Sequence, residues 1–132
     1  MVLVDTSIWS LAFRRFEDKP SMHVSTLAAL IRRHQALMIG PIRQEILSGI
    51  SVSKKFQLLK ERLSVFQDLP ILTEDYERAA DFFNICRSKG IQGSNTDFLI
   101  CAVANRNKID IFSNDKDFHR YKKHLKISLF EV

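Results

Sequence analysis

The chain has 132 residues, 45% hydrophobic and 27% charged, with 20 Lys+Arg against 15 Asp+Glu and a net charge of +5. That size and make-up fit one soluble globular domain over 1–132 and exclude disorder, collagen-like repeats and small disulfide scaffolds. No apolar stretch approaches the ~20 residues of a membrane-spanning helix. The opening Met1-Val2-Leu3-Val4-Asp5 carries no basic, extended apolar leader, so a cytoplasmic protein is expected.

Met1 to Val4 is a short β-branched run stopped by Asp5, which predicts a buried strand opening into a loop or helix. Val24, Leu27, Ala28 and Ile31 follow the i, i+3, i+4, i+7 spacing of an amphipathic helix over 22–34. A second strand is expected over 36–39. Gly40-Pro41 starts the next helix, which carries Glu45, Ile46 and Leu47 before Gly49 closes it. Lys54 to Val65 reads as a surface helix buried through Phe56, Leu59 and Leu63.

Pro70-Ile71-Leu72 predicts a brief strand or a turn. Thr73 then reads as an N-cap, with Glu74 and Asp75 in the first turn of a helix that runs through Ala79, Ala80, Phe83 and Cys86 to Gly90. Gln92 to Asn95 is a loop. Asp97 opens a helix with Leu99, Ala102 and Val103 on its inner face; 110–113 is a strand, 115–123 a basic helix and 127–130 a last strand. Strands alternating with helices predict an α/β fold, a three-layer α/β/α sandwich with a central parallel sheet. Cys86 and Cys101 lack C-x-x-C spacing and read as buried free thiols.

In such sheets the functional crevice lies beyond the carboxyl ends of the strands. Asp5, Asp97 and Asp115 map there, and Glu45 sits one turn into the helix after the second strand. Each has a structural alternative: Asp5 and Asp115 as helix caps, Ser94-Asn95-Thr96-Asp97 as a capping box, Glu45 as an exposed helical residue. Four acids in one crevice would repel one another unless cations neutralise them. Oxygen ligands without Cys or His select Mg²⁺, with Mn²⁺ as substitute. The chemistry this implies is metal-assisted phosphodiester hydrolysis.

These residues carry a resemblance that covers essentially the whole chain. Val4-Asp5-Thr6-Ser7-Ile8-Trp9, Gln44-Glu45-Ile46-Leu47-Ser48-Gly49, Thr96-Asp97-Phe98-Leu99-Ile100 and Ser113-Asn114-Asp115-Lys116-Asp117-Phe118 resemble, in order and spacing, the four motifs of PIN-domain ribonucleases of the VapC toxin type. The resemblance implies a PIN-like fold and makes Asp5, Glu45, Asp97 and Asp115 the metal-binding and catalytic acids, with Asp117 adjoining. Ser113 stands where the family often has threonine. The resemblance further implies a homodimer, a structured RNA substrate such as tRNA, and a cognate VapB-like antitoxin that inserts into the cleft. Thr6 or Ser7 either orients a ligand or hydrogen-bonds the turn backbone.

The excess positive charge favours polyanionic partners. Lys116, Arg120, Lys122, Lys123 and Lys126, with His119 and His124 among them, form either a phosphate-holding face or a solvated one. Arg14 and Arg15, between Phe13 and Phe16, form a second phosphate contact, part of a partner surface or a simple amphipathic segment. Trp9 reads as a core or interface aromatic. A haloacid-dehalogenase-like phosphatase would need an aspartate where Ser7 stands, and the acidic pair and lysine of a receiver domain are absent. The remaining rival is a non-catalytic basic module that binds RNA or protein on the same fold.

Overall fold

The computed structural model describes residues 1–13 and 21–132. Its central strand is β1 (Val2–Val4), whose three side chains are all buried. A run of apolar residues without alternation is what a strand covered on both faces requires. β1 lies between β2 (Ala36–Leu37) and β3 (Asp110–Phe112), and β4 (Ser128–Leu129) adds to β3. All pairings are parallel: Val2 faces Ala36 and Asp110, Val4 faces Phe112, and Ile111 faces Leu129. Among the described residues the helices are α1 (Thr6–Phe13), α2 (Met22–Arg32), α3 (Gly40–Leu47), α4 (Ser53–Leu63), α5 (Thr73–Ser88), α6 (Asn95–Asn107) and α7 (Asp117–Lys122). The sheet is the middle layer of an α/β/α sandwich, as the alternation predicts.

The strand order β2-β1-β3-β4 decides where a site can form. The chain leaves β1 toward β2, then returns past β1 to build β3 on its other side. Connections therefore diverge between β1 and β3, and a crevice opens beyond their carboxyl ends. Asp5 leaves the first of these strands and Ser113-Asn114-Asp115 leaves the second.

Local signals place most helices. The Ser21 hydroxyl accepts from Val24 N at 3.2 Å and starts α2. Pro41 sits in the first turn of α3, and Gly90, at φ 74°, follows α5 in a left-handed conformation that a side chain would strain. Trp9 is fully buried and its indole N–H donates to Val4 O at 3.0 Å, so it belongs to the core. Cys86 and Cys101 are free and buried. Arg14, Arg15 and Phe16 lie outside the described residues, and among the described residues no helix is long and apolar enough to cross a membrane.

Three sequence expectations are corrected. Pro70-Ile71-Leu72 forms no strand; the chain instead makes a single parallel bridge between Met38 and Asp68. Thr73 is the first residue of α5, not its cap, because Asp75 takes the capping role by accepting from Leu72 N at 2.8 Å. Within α5, Ala79, Phe82 and Cys86 are buried, while Ala80 is exposed and Phe83 half-buried, details on which the sequence makes no claim. Every residue of α6 from Phe98 to Ala104 is buried, so this helix has no solvent face there; it packs against α5 and β3.

Asp75 is also buried, and a buried charge needs a partner. Arg106 supplies it with two hydrogen bonds, 2.7 Å from Nε and 3.0 Å from Nη2, and Nη2 also donates to Pro70 O at 3.0 Å. Burial alone would raise the Asp75 carboxyl, but the Arg106 guanidinium and the Leu72 N–H hold it below its usual value. The folded value is depressed, so this stability is present above the unfolded carboxyl's value of about 3.9 and is lost as pH falls through the lower folded value. Arg106→Met is expected to lower the melting temperature at neutral pH and to shrink the gap between melts at pH 7 and in strong acid. Identical pH dependence in variant and wild type would contradict the assignment.

Candidate active site

The ladder between β1 and β3 sets the first acid. Asp5 N donates to Phe112 O at 2.8 Å, which holds Asp5 beside the end of β3. Its carboxylate is buried, 6% exposed, and one oxygen collects two hydroxyls: Ser7 Oγ at 2.8 Å and Ser113 Oγ at 2.7 Å. Ser7 Oγ in turn accepts from Asn114 N at 3.0 Å. Of the two roles open to Ser7, it takes both a backbone contact and a carboxylate contact. Burial pushes the Asp5 carboxyl up, and the Ser113 and Ser7 hydroxyls with the Thr6 and Ser7 N–H groups offset this only in part.

The second acid comes from the first turn of α6. Ser94 Oγ accepts from Asp97 N at 3.1 Å, which is the serine half of the expected capping box. The Asp97 carboxylate turns instead to Tyr121, whose hydroxyl donates to it at 2.7 Å. Burial raises the Asp97 carboxyl, Tyr121 lowers it, and the charges of Asp5 and Asp115 raise it further. The Tyr121 phenol is itself pushed far up by burial and by Asp97. Gly93 makes room for this contact: a Cβ there would collide with the Tyr121 hydroxyl and lie 2.9 Å from Phe98 Cε2. Sequence reasoning missed Tyr121, whose sole signal is its place one helical turn beyond Asp117.

Asp115 and Asp117 complete the acidic edge. Asp115 N donates to Ser113 Oγ at 2.9 Å, and Asp115 Oδ1 accepts from Asp117 N at 2.9 Å, so Asp115 does cap the start of α7. Capping and convergence coexist, because a carboxylate that uses one oxygen on the backbone keeps the other free. Asp97, Asp115 and Asp117 each present an oxygen within 4.8 Å of the others. Asp117, which the sequence marks only as adjoining, is thus a full member of this group. Asp5 and Glu45 fall outside it. Asp5 is near enough for its charge to act on Asp97, whereas Glu45 is exposed on α3 and accepts from Thr6 Oγ1 at 2.7 Å. Among the described residues neither Lys nor Arg pairs with any of these acids; the ion pairs are Arg43–Asp68 and Arg106–Asp75. Lys116, Arg120, Lys122 and Lys123 are exposed along α7 and its ends, with Lys116 beside Asp115, whereas the exposed Lys126 lies at the opposite edge of the sheet.

Two outcomes follow from this electrostatics. Asp5 and Asp97 have raised carboxyls, so at these two positions the folded state holds more protons than the unfolded chain above about pH 3.9. Their contribution to stability therefore falls as pH rises through the raised folded values. Thermal melts in EDTA should show Asp97→Asn gaining stability relative to wild type at neutral pH and losing that advantage in acid; a constant difference across this range would refute it. Gly93→Ala should cost about 1–3 kcal/mol in chemical denaturation, the usual penalty for forcing atoms into a filled space.

With this geometry established, relatives identify the architecture. A family model for the PIN domain matches residues 2–124. No curated protein matches the chain. Among solved structures, the crystal structure of FitAcB from Neisseria gonorrhoeae superposes with a TM-score of 0.77 at 20% identity, covering 99% of this chain and 97% of that one. FitAB bound to the IR36 DNA fragment gives 0.77 at 21% identity, with 98% and 94% covered. VapBC2 from Rickettsia felis, bound to a DNA fragment from their promoter, gives 0.74 at 18% identity, with 100% and 99% covered. At such identities the structural likeness speaks for the fold, and the family match over nearly the whole length speaks for the lineage. The chain belongs to the PIN domain family.

Proposed function

We propose that the protein is a divalent-metal-dependent endoribonuclease that hydrolyses RNA phosphodiester bonds. The observation that carries this reading is the meeting of Asp97, Asp115 and Asp117 oxygens within 4.8 Å beyond the carboxyl ends of β1 and β3. The donor set fits Mg²⁺ or Mn²⁺: it is made of carboxylates alone, and hard oxygen ligands select hard cations. The charge balance fits as well, because Asp5 and Asp97 are both pushed toward protonation and no lysine or arginine among the described residues neutralises them.

In this reading Asp97, Asp115 and Asp117 hold the ion, and Asp5 and Glu45 complete the acidic pocket around it. The ion supplies Lewis-acid polarisation of the phosphodiester and neutralises charge at the leaving oxygen. The chain's own residues set the geometry. Ser7 and Ser113 fix one Asp5 oxygen, Tyr121 fixes one Asp97 oxygen, and Thr6 restrains Glu45. The exposed cations of α7 and its ends, Lys116, Arg120, Lys122 and Lys123, hold RNA phosphates that run on from the acids.

The resemblance to VapC toxins and the likeness to FitAB and VapBC2 support a role as the toxin of a cytoplasmic toxin–antitoxin pair. On that reading the protein acts as a homodimer on structured RNA such as tRNA and is restrained by a VapB-like antitoxin. A non-catalytic binding module on the same fold makes a different prediction. The nuclease reading expects Mg²⁺- or Mn²⁺-dependent cleavage of RNA that EDTA abolishes. It also expects Asp5→Asn or Asp97→Asn to reduce the rate by about two orders of magnitude or more with the fold retained. RNA retained but uncut by the wild type in either metal would reject the nuclease in favour of the binder.

A further inference from the structure

Beside the acidic group lies a cavity of about 170 Å³ that the proposed chemistry does not use. It opens at the carboxyl ends of β3 and β4 and shares Ser113 and Asp115 with the acidic edge. Of three larger cavities, one beside Ala104 and Lys126 and one beside Met1 and Val65 lie at the opposite edge of the sheet, where the strands begin, and the third, between Phe83, Arg87 and Gly93, lines neither Ser113 nor any of the acids. We propose that the cavity beside Asp115 receives the base of the RNA nucleotide next to the cleaved bond, stacked on His23. The proposal rests on the ribonuclease reading and deepens it by assigning a base subsite.

The walls carry the argument. His23, from α2, is half-buried and lies nearly parallel to the Phe112 ring, with centroids 5.9 Å apart and an interplanar angle of 19°. Phe112 is fully buried beneath it, so the imidazole is the part of this stack that can meet a ligand. Phe130 leans on Phe112 at 5.4 Å and 57° and forms a second aromatic wall. A flat ring between aromatic walls is how single-stranded RNA bases are held.

The polar lining matches the rest of a nucleotide. The Asn114 carboxamide offers both donor and acceptor and the Glu131 carboxylate offers acceptors, the groups that read a base edge. Lys116 lines the same cavity and suits a phosphate. Ser113 joins the two sites, since its hydroxyl also holds Asp5. A phosphate at the acids and a base in the cavity are therefore within one nucleotide of each other. An aliphatic or acidic peptide would use neither the stack nor the acceptor of Glu131.

The test measures anisotropy of a fluorescein-labelled single-stranded oligoribonucleotide in EDTA, where binding is read without cleavage. His23→Ala is expected to weaken Kd about tenfold, as loss of one stacked base does. His23→Phe, which keeps the ring, should stay close to wild type, and the difference between His23→Ala and wild type should vanish on an oligonucleotide with abasic sites. With Mg²⁺ present, His23→Ala should raise KM more than it lowers kcat. An unmoved Kd in a His23→Ala protein with a native melting curve, equal losses in His23→Ala and His23→Phe, or no RNA binding by wild type would overturn the subsite. Cleavage that persists with an unmoved Kd removes the subsite alone. Loss of Kd in a protein that never cleaves removes the ribonuclease reading alone.

Discussion

A buried carboxylate at the end of the central strand is the constraint on which this site is built. Asp5 is taken out of water between β1 and β3, where an unpartnered charge would be costly. Two hydroxyls answer it, one from Ser7 in the following turn and one from Ser113, 108 residues further along the chain. Ser7 also accepts from Asn114 N. The same few contacts thus satisfy the acid and clamp the two strand ends together. Since Asp115 is oriented by Ser113, placing Asp5 also places the acidic edge beside it.

Asp75 and Asp97 show how one residue type serves opposite ends. Both leave the first turn of a helix and both are shielded from water. Asp75 meets Arg106, and its carboxyl is held down; Asp97 meets a neutral phenol and two other acids, and its carboxyl is pushed up. The first arrangement ties α5 to α6 and has no spare charge. The second stores repulsion, which a folded protein tolerates where function requires it. Cys101 registers the same field: burial raises its thiol and the negative charges of Asp97 and Asp5 raise it further, which suits an inert core residue.

Hydroxyl groups, more than acids, set the precision of the site. Ser7, Ser113, Ser94, Thr6 and Tyr121 each engage an acid or the backbone that carries it. Each carboxylate so held has one oxygen occupied, which fixes the direction of the other. Gly93 belongs to this set although it has no side chain, because its missing Cβ lets Tyr121 reach Asp97. Rigid placement of this kind is what distinguishes a site from acids that merely share a surface.

The alternation of strands and helices, the burial of Val2 to Val4, the breaks at Gly40-Pro41 and Gly90, and the core place of Trp9 were legible in the sequence, because hydrophobic periodicity and turn chemistry act over a few residues. The same local reasoning misplaced the cap of α5. Asp75 serves Leu72 and Arg106 at once, and the second partner is available only once α5 packs on α6. Acids after strand ends could likewise be named from the chain alone, but not which of them meet. That Asp117 joins Asp97 and Asp115, that Glu45 stays with Thr6, and that Tyr121 reaches Asp97 depend on where α3, α6 and α7 come to rest around the sheet. Local patterns determine which elements form; distances between residues twenty to a hundred positions apart exist only once the strand order β2-β1-β3-β4 has brought their ends together.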